Sequence, residues 1–200
     1  MKILAFSDIQ GNLALLDNIV RTAKKRNVDL MICAGDLCDW GEDLIKLIEK
    51  LKEAGKPLLM IPGNHEDIPE FKKMCKKYKD FVINFNRGLY SLGEYCFLGY
   101  GESIFEVVDK EFEEIVDKFS KMADTYKKLI IVTHAPPYNT ELDRIPGLGH
   151  VGSKSYRKAI IKLKPDLYIS GHIHESEGKL DKLGNTLLIN PGPVGKVIEI

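Results

Sequence analysis

Short apolar runs alternate along the chain with longer stretches in which apolar residues recur every three or four positions, the pattern of strands covered by helices. Residues 2–6, KILAF, read as a buried strand, and Gly11 to Arg26 carry Leu13, Leu16, Ile19, Val20 and Ala23 at helical spacing. DLMICAG at 29–35 predicts a second strand, LIKLIEKLKEA near 44–54 a second helix, and PLLMIPG at 57–63 a third strand. The chain therefore opens as a βαβαβ unit. A Lys-rich helix over 69–78 leads to three short strands, FVIN, LYSLG and YCFLGYG, joined by glycine-containing turns. A charged amphipathic helix over 109–128, the strand KLIIVTH, a long Pro/Gly loop and a helix near 153–163 follow. DLYISGH, LGNTLLIN with its Gly184-Asn185 turn, and GKVIEI would then complete two sheets flanked by helices.

With 200 residues, 44% hydrophobic and 29% charged, the chain has the composition of one globular α/β domain spanning residues 1–200. Its 29 basic and 29 acidic side chains cancel, which gives no global field toward long nucleic acid or an anionic membrane. The apolar start MKILAF stops at Ser7-Asp8, too short for a secretory signal, and the four cysteines show no CxxC pairing. Reduced thiols and a cytoplasmic location are the expectation, with no membrane partner.

The chemistry lies in where the chelating side chains fall. Asp8, Asp36, Asn64-His65, His134 and His172-Ile173-His174 each follow a predicted strand almost immediately. In an α/β sheet the loops beyond the carboxyl ends of the strands share one rim, so these residues can converge there. An extended backbone would project His172 and His174 to the same side. Carboxylates mixed with imidazoles suit Mn, Fe, Co, Ni or Zn. Two such cations about 3.5–4 Å apart can hold a phosphoryl group and lower the pKa of a shared water. Taken singly, Asp8 or Asp36 could equally cap a helix, and His65 or His134 could be a structural histidine.

The combination is more specific. Asp8-Ile9-Gln10, Gly35-Asp36-Leu37-Cys38-Asp39, Gly63-Asn64-His65-Glu66, Thr133-His134-Ala135-Pro136-Pro137 and Gly171-His172-Ile173-His174 resemble the five motifs of calcineurin-like metallophosphoesterases. The segments HAPPYNTELD and GHVGS resemble the small bacterial and archaeal branch called Icc-related phosphoesterases. The resemblance implies a four-layer αββα sandwich of two mixed sheets. It also implies two divalent metal ions, with manganese favoured. By the same resemblance Asp8, Asp36 and His174 would bind the first metal, and Asp36, Asn64, His134 and His172 the second, with Asp36 bridging. His65 would contact phosphate and protonate the leaving oxygen.

One position departs from the family pattern: Gln10 stands where the first motif usually has histidine. A neutral amide oxygen is a poorer ligand than imidazole, so Gln10 is expected to be a weak ligand or to orient one, and the first metal to be held less tightly. Asp39 and Glu66 are expected to orient the metal-bound groups, and Cys33 and Cys38 to stay outside the ligand set. The long loop from Ala135 to Gly152 would wall the pocket, with Arg144 and His150 as candidate substrate contacts.

These expectations add up to dinuclear-metal hydrolysis of a small phosphate ester, a phosphodiester first. A phosphomonoester is the alternative, and a noncatalytic protein-interaction scaffold with a degenerate metal site the rival from another class. The sequence is compatible with a homo-oligomer.

Overall fold

The computed structural model describes residues 1–40, 44–102, 106–121 and 125–200. Strand β1 (Lys2–Phe6) leads through helix α1 (Leu13–Arg26) to β2 (Leu30–Cys33), then through α2 (Leu44–Lys52) to β3 (Leu58–Met60), and through α3 (Ile68–Lys77) to β4 (Val82–Asn84). These four strands lie parallel in chain order, and the last strand, β13 (Lys196–Glu199), pairs antiparallel with β1.

The second sheet begins with β5 (Gly88–Leu92) and β6 (Tyr95–Tyr100) and continues, after α4 (Lys110–Ser120), with β7 (Lys128–Thr133). A two-residue hairpin, β8 (Arg144–Ile145) and β9 (Gly149–His150), precedes α5 (Lys154–Leu163). Then come β10 (Leu167–Ile169), a 3-10 turn at His174–Ser176, β11 (Leu180–Leu183) and β12 (Thr186–Ile189). The order is β11-β12-β10-β7-β6-β5, parallel in the middle with an antiparallel strand at either edge.

Alternation along the strands builds four layers. Leu4 and Phe6 of β1 and Met31 and Cys33 of β2 turn outward, under α1, α2 and α3. Ile3, Ala5, Leu30 and Ile32 turn inward, against Phe97, Ile130, Val132 and Ile169 of the other sheet. On the far side Leu98, Ile131 and Tyr168 pack under Phe112 of α4 and Tyr156 and Ile160 of α5. The central strands are buried on both faces, which is why they read as unbroken apolar runs.

Helix boundaries follow local chemistry. Asn12, not Asp8, caps α1 by accepting from Ala14 and Leu15 N–H, and Asp67 caps α3 by accepting from Glu70 N–H. Asp8 is thereby released from the helix-cap role that it could have filled. The helix expected over 109–128 ends at Ser120, and residues 122–124 of that range lie outside the described residues. The long Pro/Gly loop holds the β8–β9 hairpin, organised by buried Asp143, which accepts from the N–H groups of Asn139, Thr140 and Gly152.

Candidate metal centre

The carboxyl ends of β1, β2, β3, β7 and β10 face one rim, and their loops are cross-linked there. Asp8 N–H donates to Gly35 O and Gln10 N–H to Asp36 O, while Gly171 N–H donates to His134 O. Bonds also cross between the sheets, among them His134 Nδ1 to Ala34 O at 2.9 Å and His172 N–H to both oxygens of Asp8 at 3.1 Å. Asn190, in the turn after β12, clamps the last motif by donating to Ile173 O and Ser176 Oγ.

The turns that carry these candidate ligands take unusual backbone. Asp8, Gln10, Asp36 and His172 have φ of 56°, 47°, 53° and 69°, in the left-handed region that side chains with a Cβ seldom adopt. Glycines supply the close approach beside them: a Cβ at Gly63 would overlap Asp36 Oδ1, and one at Gly171 would overlap Asp8 Oδ2.

At the centre, ligand atoms of Asp36, His134 and His172 all lie within 4.8 Å of one another. Asp36 Oδ2 is 3.3 Å from His134 Nε2, and Asn64 Oδ1 is 2.9 Å from the same nitrogen. Because His134 Nδ1 faces a carbonyl, its Nε2 is the nitrogen that points at these oxygens. A hard carboxylate, an amide oxygen and two imidazoles around one point fit a divalent transition ion. Asp8, Gln10 and His174 make a looser pole beside it, with His174 Nε2 3.9 Å from Asp8 Oδ1 and 3.5 Å from Gln10 Nε2. His172 and His174 do not project together from an extended strand. The left-handed turn at His172 and the 3-10 turn begun by His174 separate them, so His172 packs on the His134 ring while His174 lies half exposed beside Gln10.

Electrostatics favour a charged pair at the centre. Burial works against ionisation of Asp36, but its hydrogen bond and attraction to His134 win and hold its carboxyl below the usual range. Burial likewise opposes the charged form of His134, and the Asp36 carboxylate overrides it, raising this imidazole to about 9. Burial and the neighbouring His134 push His172 down to about 4, so it stays neutral. Burial raises Asp8.

His65 stands over this cluster, its N–H on Asp36 Oδ1 at 3.0 Å and its Nε2 3.7 Å from Asp36 Oδ2. Its Nδ1 is 2.9 Å from Asp39 Oδ1, and its ring lies 4.9 Å from that of Trp40.

Glu66 proves more than a neighbour. Its buried carboxylate accepts from Asp36, Leu37, Cys38 and Gly63 N–H at 3.0, 2.7, 3.2 and 2.6 Å, tying the second motif to the third. Cys33 and Cys38 are buried free thiols; Cys38 Sγ contacts Glu66. Arg144 and His150 pair across the β8–β9 hairpin, whose first strand packs against the 3-10 turn carrying His174. Arg144 is exposed, whereas His150 Nδ1 is engaged by Asp143 Oδ1 at 2.8 Å.

The family model for calcineurin-like phosphoesterases matches residues 1–176. This chain is a calcineurin-like phosphoesterase. The family acts by metal-dependent hydrolysis of phosphate esters. An uncharacterised protein of Methanocaldococcus jannaschii is 35% identical over 204 residues, covering 96% of this phosphoesterase and 88% of its own length. A crystal structure of a Thermus thermophilus protein superposes with a TM-score of 0.74 at 22% identity, covering 96% of this chain and 88% of that one. A structure described as a novel archaeal phosphodiesterase superposes at 0.54 with 17% identity, covering 96% and 84%. Both share the four-layer fold of this phosphoesterase.

Proposed function

We propose that this chain, as one catalytic domain over residues 1–200, is a dinuclear-metal phosphodiesterase acting on a small molecule or nucleotide. The observation that carries the reading is the Asp36 carboxylate, set between His65, His134 and the His172 ligand atom at the meeting of both sheets. Asp36, Asn64, His134 and His172 would hold one cation, and Asp8, Asp36 and His174, with Gln10 as a weak fourth partner, the other. Divalent ions bound there, manganese by preference, would supply an activated water and neutralise charge on the phosphoryl group.

The protein's own groups do the rest. His65, held by Asp39 at Nδ1, presents Nε2 toward the centre, where it contacts the phosphoryl oxygens and gives a proton to the leaving oxygen. Arg144, exposed on the hairpin beside His174, would contact the outer part of the substrate. His150 would act through the shape of that hairpin. A diester is favoured by the archaeal phosphodiesterase that shares the fold. A monoester remains the alternative, because the ligand set meets only the phosphoryl group.

Among the described residues no helix is long and apolar enough to cross a membrane. The balanced charge favours a small substrate over long nucleic acid, and four free cysteines without CxxC spacing favour reduced thiols and a cytoplasmic location.

The deciding experiment is hydrolysis of an aryl phosphodiester and the matching monoester by metal-stripped protein resupplied with Mn, Fe, Co, Ni, Zn or Mg. Metal-dependent turnover that His65→Ala abolishes is the expected result, with the diester preferred. Absence of turnover with every metal would make Gln10 the mark of a decayed centre and favour a protein-binding scaffold.

A further inference from the structure

Trp40 is the single tryptophan of the chain, and it stands 68% exposed. An indole left in water forgoes most of the burial that makes tryptophan useful to a core. Its ring nevertheless has a neighbour: it lies 4.9 Å from the His65 ring at 36°, and the backbone N–H of Trp40 donates to Asp39 Oδ1 at 2.8 Å. Beside the two rings opens a cavity of about 560 Å³, walled by Cys38, Leu44, Ile68 and Pro69, with Asp67 and Glu70 at its edge. That volume lies within the range of small-molecule sites, about 300–1,000 Å³.

We propose that this cavity receives the leaving group of the ester and that Trp40 stacks on a planar ring within it, a nucleobase. The proposal rests on the reading that the phosphoryl group sits at the Asp36 centre with His65 toward the leaving oxygen. Whatever is attached to that oxygen then extends past His65, and the next surface it meets is Trp40 and the apolar wall of Cys38, Leu44, Ile68 and Pro69. A flat apolar ring gains from such a wall, because every base has a face to stack and the indole lies beside the His65 ring with most of its surface open. The carboxylates of Asp67 and Glu70 repel a second phosphate but can accept from exocyclic amino groups. The cavity therefore suits a nucleoside and rejects a polyphosphate. The competing role for Trp40, propping His65 in place, would affect all substrates alike.

The test uses intact, metal-loaded protein and two ligands of equal charge, adenosine 5′-monophosphate and ribose 5-phosphate, followed by calorimetry. Because Trp40 is the sole indole, its fluorescence reports the cavity directly. The nucleotide is expected to quench it and to bind on the order of tenfold more tightly than the sugar phosphate, the scale of one base–aromatic stack. Trp40→Ala should erase that difference while leaving ribose 5-phosphate affinity unchanged, and Trp40→Phe should keep most of it. Exposure of the side chain makes both variants safe for folding. Equal affinity for the two ligands, or a Trp40→Ala protein that weakens both alike, overturns the proposal. Turnover of bis(4-nitrophenyl) phosphate by the same preparation then tells whether the phosphoesterase reading survives without it.

Discussion

Nδ1 of His65 lies 2.9 Å from Oδ1 of Asp39, an oxygen that also accepts the backbone N–H of Trp40 at 2.8 Å. A carboxylate at Nδ1 fixes the tautomer and aims Nε2 at the Asp36 cluster. Asp39→Ala should therefore lower kcat on the order of tenfold or more, with a smaller change in metal affinity, since Asp39 bears on the centre through the His65 ring. The comparison is kcat across a pH series alongside metal titration. An unchanged kcat at every pH would reduce the pair to a surface contact.

Gln10 and His174 face each other at 3.5 Å in the looser pole of the site. Calorimetric titration of metal-free protein with Mn should resolve two unequal sites, and Gln10→His should tighten the weaker by about tenfold, the size of effect that even indirect ligand partners produce. Two equally tight sites in the unaltered protein would remove the role given to Gln10.

Glu66 gathers four backbone N–H groups from two loops into one buried carboxylate. Truncation leaves those donors without a partner in the interior, so Glu66→Ala should destabilise the protein by about 3 kcal/mol. For a chain of this length that is a fall of roughly 6 to 12 °C in Tm by scanning calorimetry. A variant that melts with the parent would mean that water replaces the carboxylate.

All four cysteines are buried, and burial pushes their thiols up, to about 12 for Cys75 and about 11 for Cys96. The unfolded chain would ionise them near the ordinary value of 9.0, so above that pH it binds fewer protons than the folded protein. The stability they contribute is present below 9.0 and is lost as pH rises toward 11 and 12. Tm should drop across that window, and native protein at pH 8 should show no rapidly reacting thiol with a disulfide reagent. Fast labelling of one equivalent would locate an opening motion at the labelled site.

Strands such as Lys2–Phe6 and Lys128–Thr133 were legible because burial on both faces writes an apolar run, and α1 because its buried stripe Leu16, Ile19, Val20 and Ala23 keeps helical spacing. That the rim residues would gather was legible, since each follows a strand's carboxyl end, and ligand atoms of Asp36, His134 and His172 do come within 4.8 Å of one another. What escaped depends on backbone. The β8–β9 hairpin is held by Asp143 through N–H groups, and Glu66 also binds main-chain donors, so neither leaves a side-chain pattern. The separation of His172 from His174 follows from a left-handed residue and the 3-10 turn after it, which spacing alone does not reveal. Trp40 carries no repeating signal; only its exposure beside His65 gives it meaning.

The four left-handed turns at Asp8, Gln10, Asp36 and His172 place conformational strain, on the order of 1–3 kcal/mol at each, at the candidate metal centre. Glycine would sit more comfortably at any of them. At Gln10, the least engaged of the four, Gln10→Gly should leave a hardier protein by thermal melting, with a weaker first site. Durability and catalysis thus pull this rim in opposite directions, and a descendant freed from its reaction would gain ruggedness by discarding ligands one turn at a time.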